Sequence, residues 1–212
     1  MTKQPLLLKE VINLIDEQLP EELYLSFSLV GSKPPFLEPR ADIDLLFIVK
    51  NDNKDEFFTK LNEICCVIEK ENPRVTHSFI KGPIKHDKKG LIHLIAFLET
   101  PPIDASDLTF CFEQDDPRKI RSHCKKAKLI RGKPLNECIK GVDLNNQERI
   151  EQFVKRDKQQ LKKLETGSVA LPTWRSDTAG KWSFVFEEIN LDDYLKEHMK
   201  KYYQKSISGG IQ

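Results

Sequence analysis

Leu29-Val30-Gly31-Ser32, a nine-residue interval, and then Asp42-Ile43-Asp44-Leu45-Leu46-Phe47-Ile48-Val49 decide the fold of this 212-residue chain. The first segment closes a run, Leu23 to Val30, whose apolar alternation predicts a strand. The interval holds Pro34, Pro35 and Pro39 and predicts a loop. The second segment is almost continuously apolar after its two aspartates, as expected of a strand buried on both faces. A glycine directly after a buried strand lets the backbone approach a ligand with no Cβ in the way. Asp42 and Asp44 stand two apart on a strand, so their side chains share a face with Cα atoms about 7 Å apart. Two carboxylates so placed repel one another, and a divalent cation relieves that repulsion.

Working outward, Leu8, Val11, Ile12, Ile15 and Leu19 recur at helical spacing, which predicts a helix over residues 6–19. Phe57, Phe58, Leu61, Ile64, Cys65 and Ile68 predict a second amphipathic helix. Val75 to Ile84 and Leu91 to Leu98 predict two strands, with Lys88-Lys89-Gly90 between them suggesting a hairpin turn. Pro117 to Ile130 predicts a basic helix, and Gly132 to Leu135 a turn. Gln147 to Leu164 predicts a long helix capped by Gly167, residues 168–180 a loop, and Phe184 to Lys205 a short strand or turn followed by a helix. This order predicts an α/β (α+β) fold, a small mixed sheet with flanking helices over residues 1–135. A mainly helical C-terminal part, residues 136–212, is expected to pack on it.

Apolar residues make up 39% of the chain and charged residues 32%, a mixture of globular rather than disordered type. The net charge of +1 gives no global attraction to nucleic acid or anionic membrane. Five cysteines (Cys65, Cys66, Cys111, Cys124 and Cys138) show neither a CxxC pair nor zinc-type spacing. With no secretory signal and no membrane-length apolar run in the sequence, reduced thiols and a cytoplasmic location are expected.

The segment 29–49 resembles the signature of the nucleotidyltransferase superfamily related to DNA polymerase β: an apolar residue, Gly-Ser, a loop, then Asp-x-Asp entering an apolar strand. Leu129-Ile130-Arg131-Gly132-Lys133-Pro134-Leu135 is similar to a turn that often follows the core in that superfamily. The resemblance covers residues of about 6–135, by element pattern. It implies Mg²⁺- or Mn²⁺-dependent transfer of a nucleoside monophosphate, AMP from ATP, to a hydroxyl acceptor on a small molecule, protein or RNA. By that likeness Gly31 and Ser32 hold the β and γ phosphates and Asp42 and Asp44 bind the metal, with the adjacent Lys33 a further candidate nucleotide contact. The family places a third carboxylate within a later apolar strand. The matching run here, Leu91 to Phe97, carries His93 at its polar position.

Imidazole suits Mg²⁺ poorly. His93 is therefore open to three readings: a general base, a substrate contact with Glu99 or Asp87 completing the site, or the mark of an inactive relative that binds a nucleotide or a protein. Glu99 lies roughly 20 Å further along the strand, too far to substitute. Lys81 is a second candidate phosphate contact, with a bulged edge strand as the plainer reading. Arg118, Lys119, Arg121, Lys125, Lys126, Lys128 and Arg131 form the densest basic run. It suits either a polyanion or the solvated face of a helix. The aromatics from Trp174 to Tyr203 suit either an acceptor pocket or an anchor on the core.

Overall fold

The computed structural model describes residues 8–31, 42–78, 90–100, 116–139, 143–166, 168–191 and 193–209. Two helices, α1 (Leu8–Gln18) and α2 (Lys54–Glu71), cover one face of a five-stranded mixed sheet. The strands are β1 (Tyr24–Val30), β2 (Asp42–Val49), β3 (Val75–Ser78), β4 (Gly90–Leu98) and β5 (Lys128–Gly132), in the order β3-β4-β2-β1-β5. Helices α3 (Pro117–Lys126) and the single-turn α4 (Leu135–Cys138) lie on the opposite face. Beyond them come α5 (Gln147–Lys163), an antiparallel ribbon of β6 (Ser168–Ser176) and β7 (Trp182–Asn190), and α6 (Asp193–Ile207).

Strand alternation sorts the core into two layers. Phe27, Leu29, Ile43, Leu45, Phe47, Ile92 and Leu94 meet Val11 and Ile15 of α1 and Phe57, Phe58 and Leu61 of α2, all fully or almost fully buried. Phe27 and Phe47 stack at 4.4 Å between ring centroids. Val30, Leu46, Ile48, Ile95 and Phe97 face the other way, toward Leu135 and Cys138. Asp42, Asp44 and His93 have the parity of this second face, where the apolar cover gives way to half-exposed positions.

Three expectations are corrected. Val75–Ser78 and Gly90–Leu98 are parallel neighbours, Val75 beside Gly90 and Ser78 beside His93, so they form no hairpin. Parallel neighbours need a connection of about a dozen residues rather than a tight turn. The apolar character of β4, interrupted by His93, is that of a strand largely covered on both sides, and β4 runs parallel to β2 as well. The basic helix ends at Lys126, and Lys128–Gly132 pairs antiparallel with β1 as an edge strand. The unpaired edge of β1 thus overrides a local helical pattern. The expected loop at 168–180 is largely strand β6, paired along its length with β7. Its Pro172 is tolerated because both strands of a two-stranded ribbon are edges. Trp174 and Trp182 of this ribbon pack on Phe58, with ring centroids 4.4 Å and 5.5 Å away, so these aromatics anchor the C-terminal part to the core. Gly167 lies outside the described residues. Among the described residues no helix is long and apolar enough to cross a membrane.

The β3 edge is pinned to α2 by Glu69. Its Oε1 accepts from Thr76 Oγ1 (2.7 Å), the His77 backbone N–H (2.6 Å) and His77 Nδ1 (2.8 Å). Burial pushes this carboxyl up, but the hydrogen bonds outweigh burial and hold it below its ordinary value. Its stabilising contribution is therefore complete above the ordinary carboxylate range and fades as pH falls through the depressed value. Glu69→Ala is expected to cost about 1–3 kcal/mol in urea unfolding at neutral pH, with the two proteins converging in acid. A difference that stays constant with pH would contradict this account.

Candidate active site

The site lies where β1 ends and β2 begins. Gly31 follows the last residue of β1 with φ +78°, a left-handed conformation that favours glycine. Val30 pairs with Asp44, and Asp44 pairs on its other side with His93 of β4. One row across the sheet therefore runs Val30, Asp44, His93, Ser78, over four adjacent strands.

Asp44 is held from two directions. His93 Nδ1 donates to Asp44 Oδ1 at 2.9 Å, and the two side chains are 13% and 23% exposed respectively. The other oxygen, Oδ2, lies against Gly31: a Cβ built there would stand 2.0 Å from it. The glycine thus serves a close approach as well as a turn. An ionised carboxylate only accepts, so Nδ1 carries the proton, and in the neutral ring Nε2 then holds the lone pair. Asp42 is half-buried two residues before Asp44 on the same face.

The register brings together three of the candidate residues, Gly31, Asp44 and His93, with Asp42 beside them on the strand. Ser32, Lys33, Lys81 and Asp87 lie outside the described residues. Glu99 follows the far end of β4, where its N–H donates to Val49 O, so it has no part in this row. The requirement that a polar group in an apolar strand find a partner pointed to a contact for His93, and register names it as Asp44.

Among the described residues no group of three or more His, Cys, Asp or Glu side chains is arranged to hold a metal ion. Two carboxylates on one half-exposed face are nevertheless the donor set a hard cation uses when phosphate oxygens and water complete its shell. One oxygen of Asp44 is committed to His93, and Oδ2 remains toward the Gly31 turn. This donor set fits Mg²⁺ or Mn²⁺ bound together with a phosphate ligand, not a closed all-protein site.

Gly31→Ala is expected to cost about 1–2 kcal/mol through the left-handed backbone and to displace the Asp44 carboxylate as well. Urea unfolding reads the first effect. A shift of the His93 ring resonances in NMR reads the second, and unchanged resonances would show that the close approach is not tight.

What the sequence missed lies further along. Arg118 is buried with Asp116 and Asp157, and its Nη2 is 2.8 Å and 3.0 Å from their carboxylates. Lys119 is buried, its ammonium 4.0 Å from the Tyr202 ring centroid. Arg131 pairs with Asp16 at 2.8 Å. Three members of the basic run are thus engaged by other side chains, Arg118 and Lys119 in buried positions and Arg131 in a half-exposed one. The only sequence signal was Asp116-Pro117 at a helix start, where the Asp116 side chain accepts from Arg118 N.

No protein-family model matches the chain. No curated protein matches it. Among solved structures, the chain is similar to spectinomycin adenyltransferase AAD(9) from Enterococcus faecialis, crystallised with ATP and spectinomycin, at TM-score 0.42 and 14% identity over 73% of this chain and 67% of that one.

Proposed function

We propose that this chain is a nucleotidyltransferase that moves AMP from ATP to a hydroxyl acceptor and releases pyrophosphate. The observation that carries the reading is the Asp44 carboxylate, held by His93 on one side and laid against the Gly31 backbone on the other. Gly31, Ser32 and Lys33 cradle the β and γ phosphates, with Lys81 as a further contact. Asp42 and Asp44 hold Mg²⁺ or Mn²⁺, which when bound neutralises charge on the transferring phosphate. The acceptor oxygen bonds to the α-phosphorus as the bond from that phosphorus to the β-phosphate oxygen breaks. Its proton passes to Nε2 of His93, and the resulting imidazolium is stabilised by Asp44.

A second reading is favoured by one observation: the position where the family carries a carboxylate is occupied by His93, and it is bonded to Asp44. On that reading the chain binds a nucleotide or a protein partner without transferring anything. ATP labelled at the α-phosphate decides between them. Transfer of label to a hydroxyl compound or to an RNA end supports the enzyme. Calorimetry showing Mg²⁺-dependent ATP binding with no transfer across a panel of acceptors supports the binding module, and no heat with ATP under any condition sinks the enzyme and the nucleotide-binding form of the second reading, leaving only a protein partner.

A further inference from the structure

Between Pro117 and Asn136 the chain carries eight Lys and Arg residues and not one Asp or Glu. Arg118, Lys119 and Arg131 are engaged as described above. The other five, Arg121, Lys125, Lys126, Lys128 and Lys133, are exposed. Among the described residues, none of the five is in an ion pair. We propose that this face, the last turn of α3 together with β5, binds the phosphate backbone of a nucleic acid whose end supplies the acceptor hydroxyl. The second half of the proposal rests on the transferase reading above, while the first half does not.

Position is the first argument. Lys128 pairs with Leu29, and Leu29 pairs with Leu45, the neighbour of Asp44. The start of β5 is therefore level with the site row and about 10 Å from β2, two strand spacings away. Lys125 and Lys126 immediately precede it at the end of α3.

Extent is the second argument. From Lys128 to Lys133 the backbone alone runs on the order of 15 Å, and α3 lengthens the track. Phosphates recur about every 3.4 Å along the axis of a stacked strand, so a stacked strand of about five nucleotides spans this distance and a single triphosphate does not. Local reasons exist for some of the charges. The helix dipole favours Lys125 and Lys126 at the end of α3, and a lysine on an edge strand discourages pairing with another chain. Neither explains the absence of every counter-charge over twenty residues of a chain that is nearly neutral overall. No aromatic side chain alternates with these cations, so the surface reads the backbone and not the bases.

The test is fluorescence anisotropy of a labelled single-stranded RNA with the full chain, without ATP or added metal, as a function of salt. Lys125→Gln, Lys126→Gln and Lys128→Gln together are expected to weaken binding about 10–100-fold and to flatten the salt slope by about two. These side chains are exposed, and a thermal melt checks that the variant folds. Binding that is unchanged in the variant overturns the proposal, as does binding that is insensitive to salt or equally tight to polyglutamate. So does a variant whose ATP affinity falls while its RNA affinity holds, because the cations then serve the triphosphate. Lysine-dependent RNA binding without any transfer from ATP refutes the transferase reading and leaves the surface standing. Transfer to small hydroxyl compounds without RNA binding does the reverse.

Discussion

Asp44→Asn is expected to lower nucleotidyl transfer by about 10²–10⁴-fold while leaving the fold intact. Metal-assisted charge stabilisation at a transferring phosphate is worth several kcal/mol, and each ~1.4 kcal/mol is a factor of ten. Asparagine keeps the shape of the side chain and an oxygen that accepts from His93 Nδ1, so the link between β2 and β4 survives. It loses the charge that would draw a cation and stabilise a protonated imidazole. The measurement is label transfer from α-labelled ATP beside a urea melt. A variant that transfers at the wild-type rate would remove Asp44 from the mechanism. A variant that merely unfolds is recognised by the melt, and Asp42→Asn then supplies the same test from the half-buried neighbour.

Arg118→Met is expected to cost about 3–5 kcal/mol of stability, the usual penalty for removing one partner of a buried ion pair. The Arg118 guanidinium donates to Asp116 through Nε and Nη2, to Asp157 through Nη2 and to Ser206 O through Nη1. Burial works against its charge, and Asp116 and Asp157 more than offset that, so its pKa is raised. Methionine fills a similar volume but leaves Asp116 fully buried and charged, while Asp157 retains Arg156 and Ser206. Because the network joins the start of α3 to α5 and α6, the loss should appear as a lower urea midpoint with detachment of the C-terminal helices. Replacing Asp116 together with Arg118 by apolar residues is expected to recover part of the stability, since no carboxylate is then buried without a partner: Asp157 keeps Arg156 and Ser206. A single-variant loss below about 1 kcal/mol would mean that water reaches this junction.

Much of the fold was legible because burial leaves periodic marks. The helical spacing of α1, α2 and α5 and the apolar runs of β2 and β4 were each read from the chain. The candidate site was half legible. Gly31, Asp42 and Asp44 stood out as residue types at strand ends and His93 as a polar residue within an apolar run, but nothing in the sequence stated that Asp44 and His93 touch. That contact depends on β2 and β4 pairing in parallel, and the Lys-Lys-Gly signal instead suggested an antiparallel hairpin between β3 and β4. The basic run shows the same limit. The seven cations of the run were visible in sequence, but which three are engaged by other side chains depends on acids as distant as Asp16 and Asp157 and on an aromatic as distant as Tyr202.

By itself the sequence determined the strongly periodic or apolar elements α1, α2, α5, β2 and β4 and their burial, because those properties follow from spacing along one chain and the area it removes from water, whereas the strands Lys128–Gly132 and Ser168–Ser176 were not among what it determined. Strand order, register and partner choice were decided by the tertiary structure alone. They depend on which edges remain to be paired and which charges must be neutralised once the elements pack, and those are relations between residues far apart in sequence.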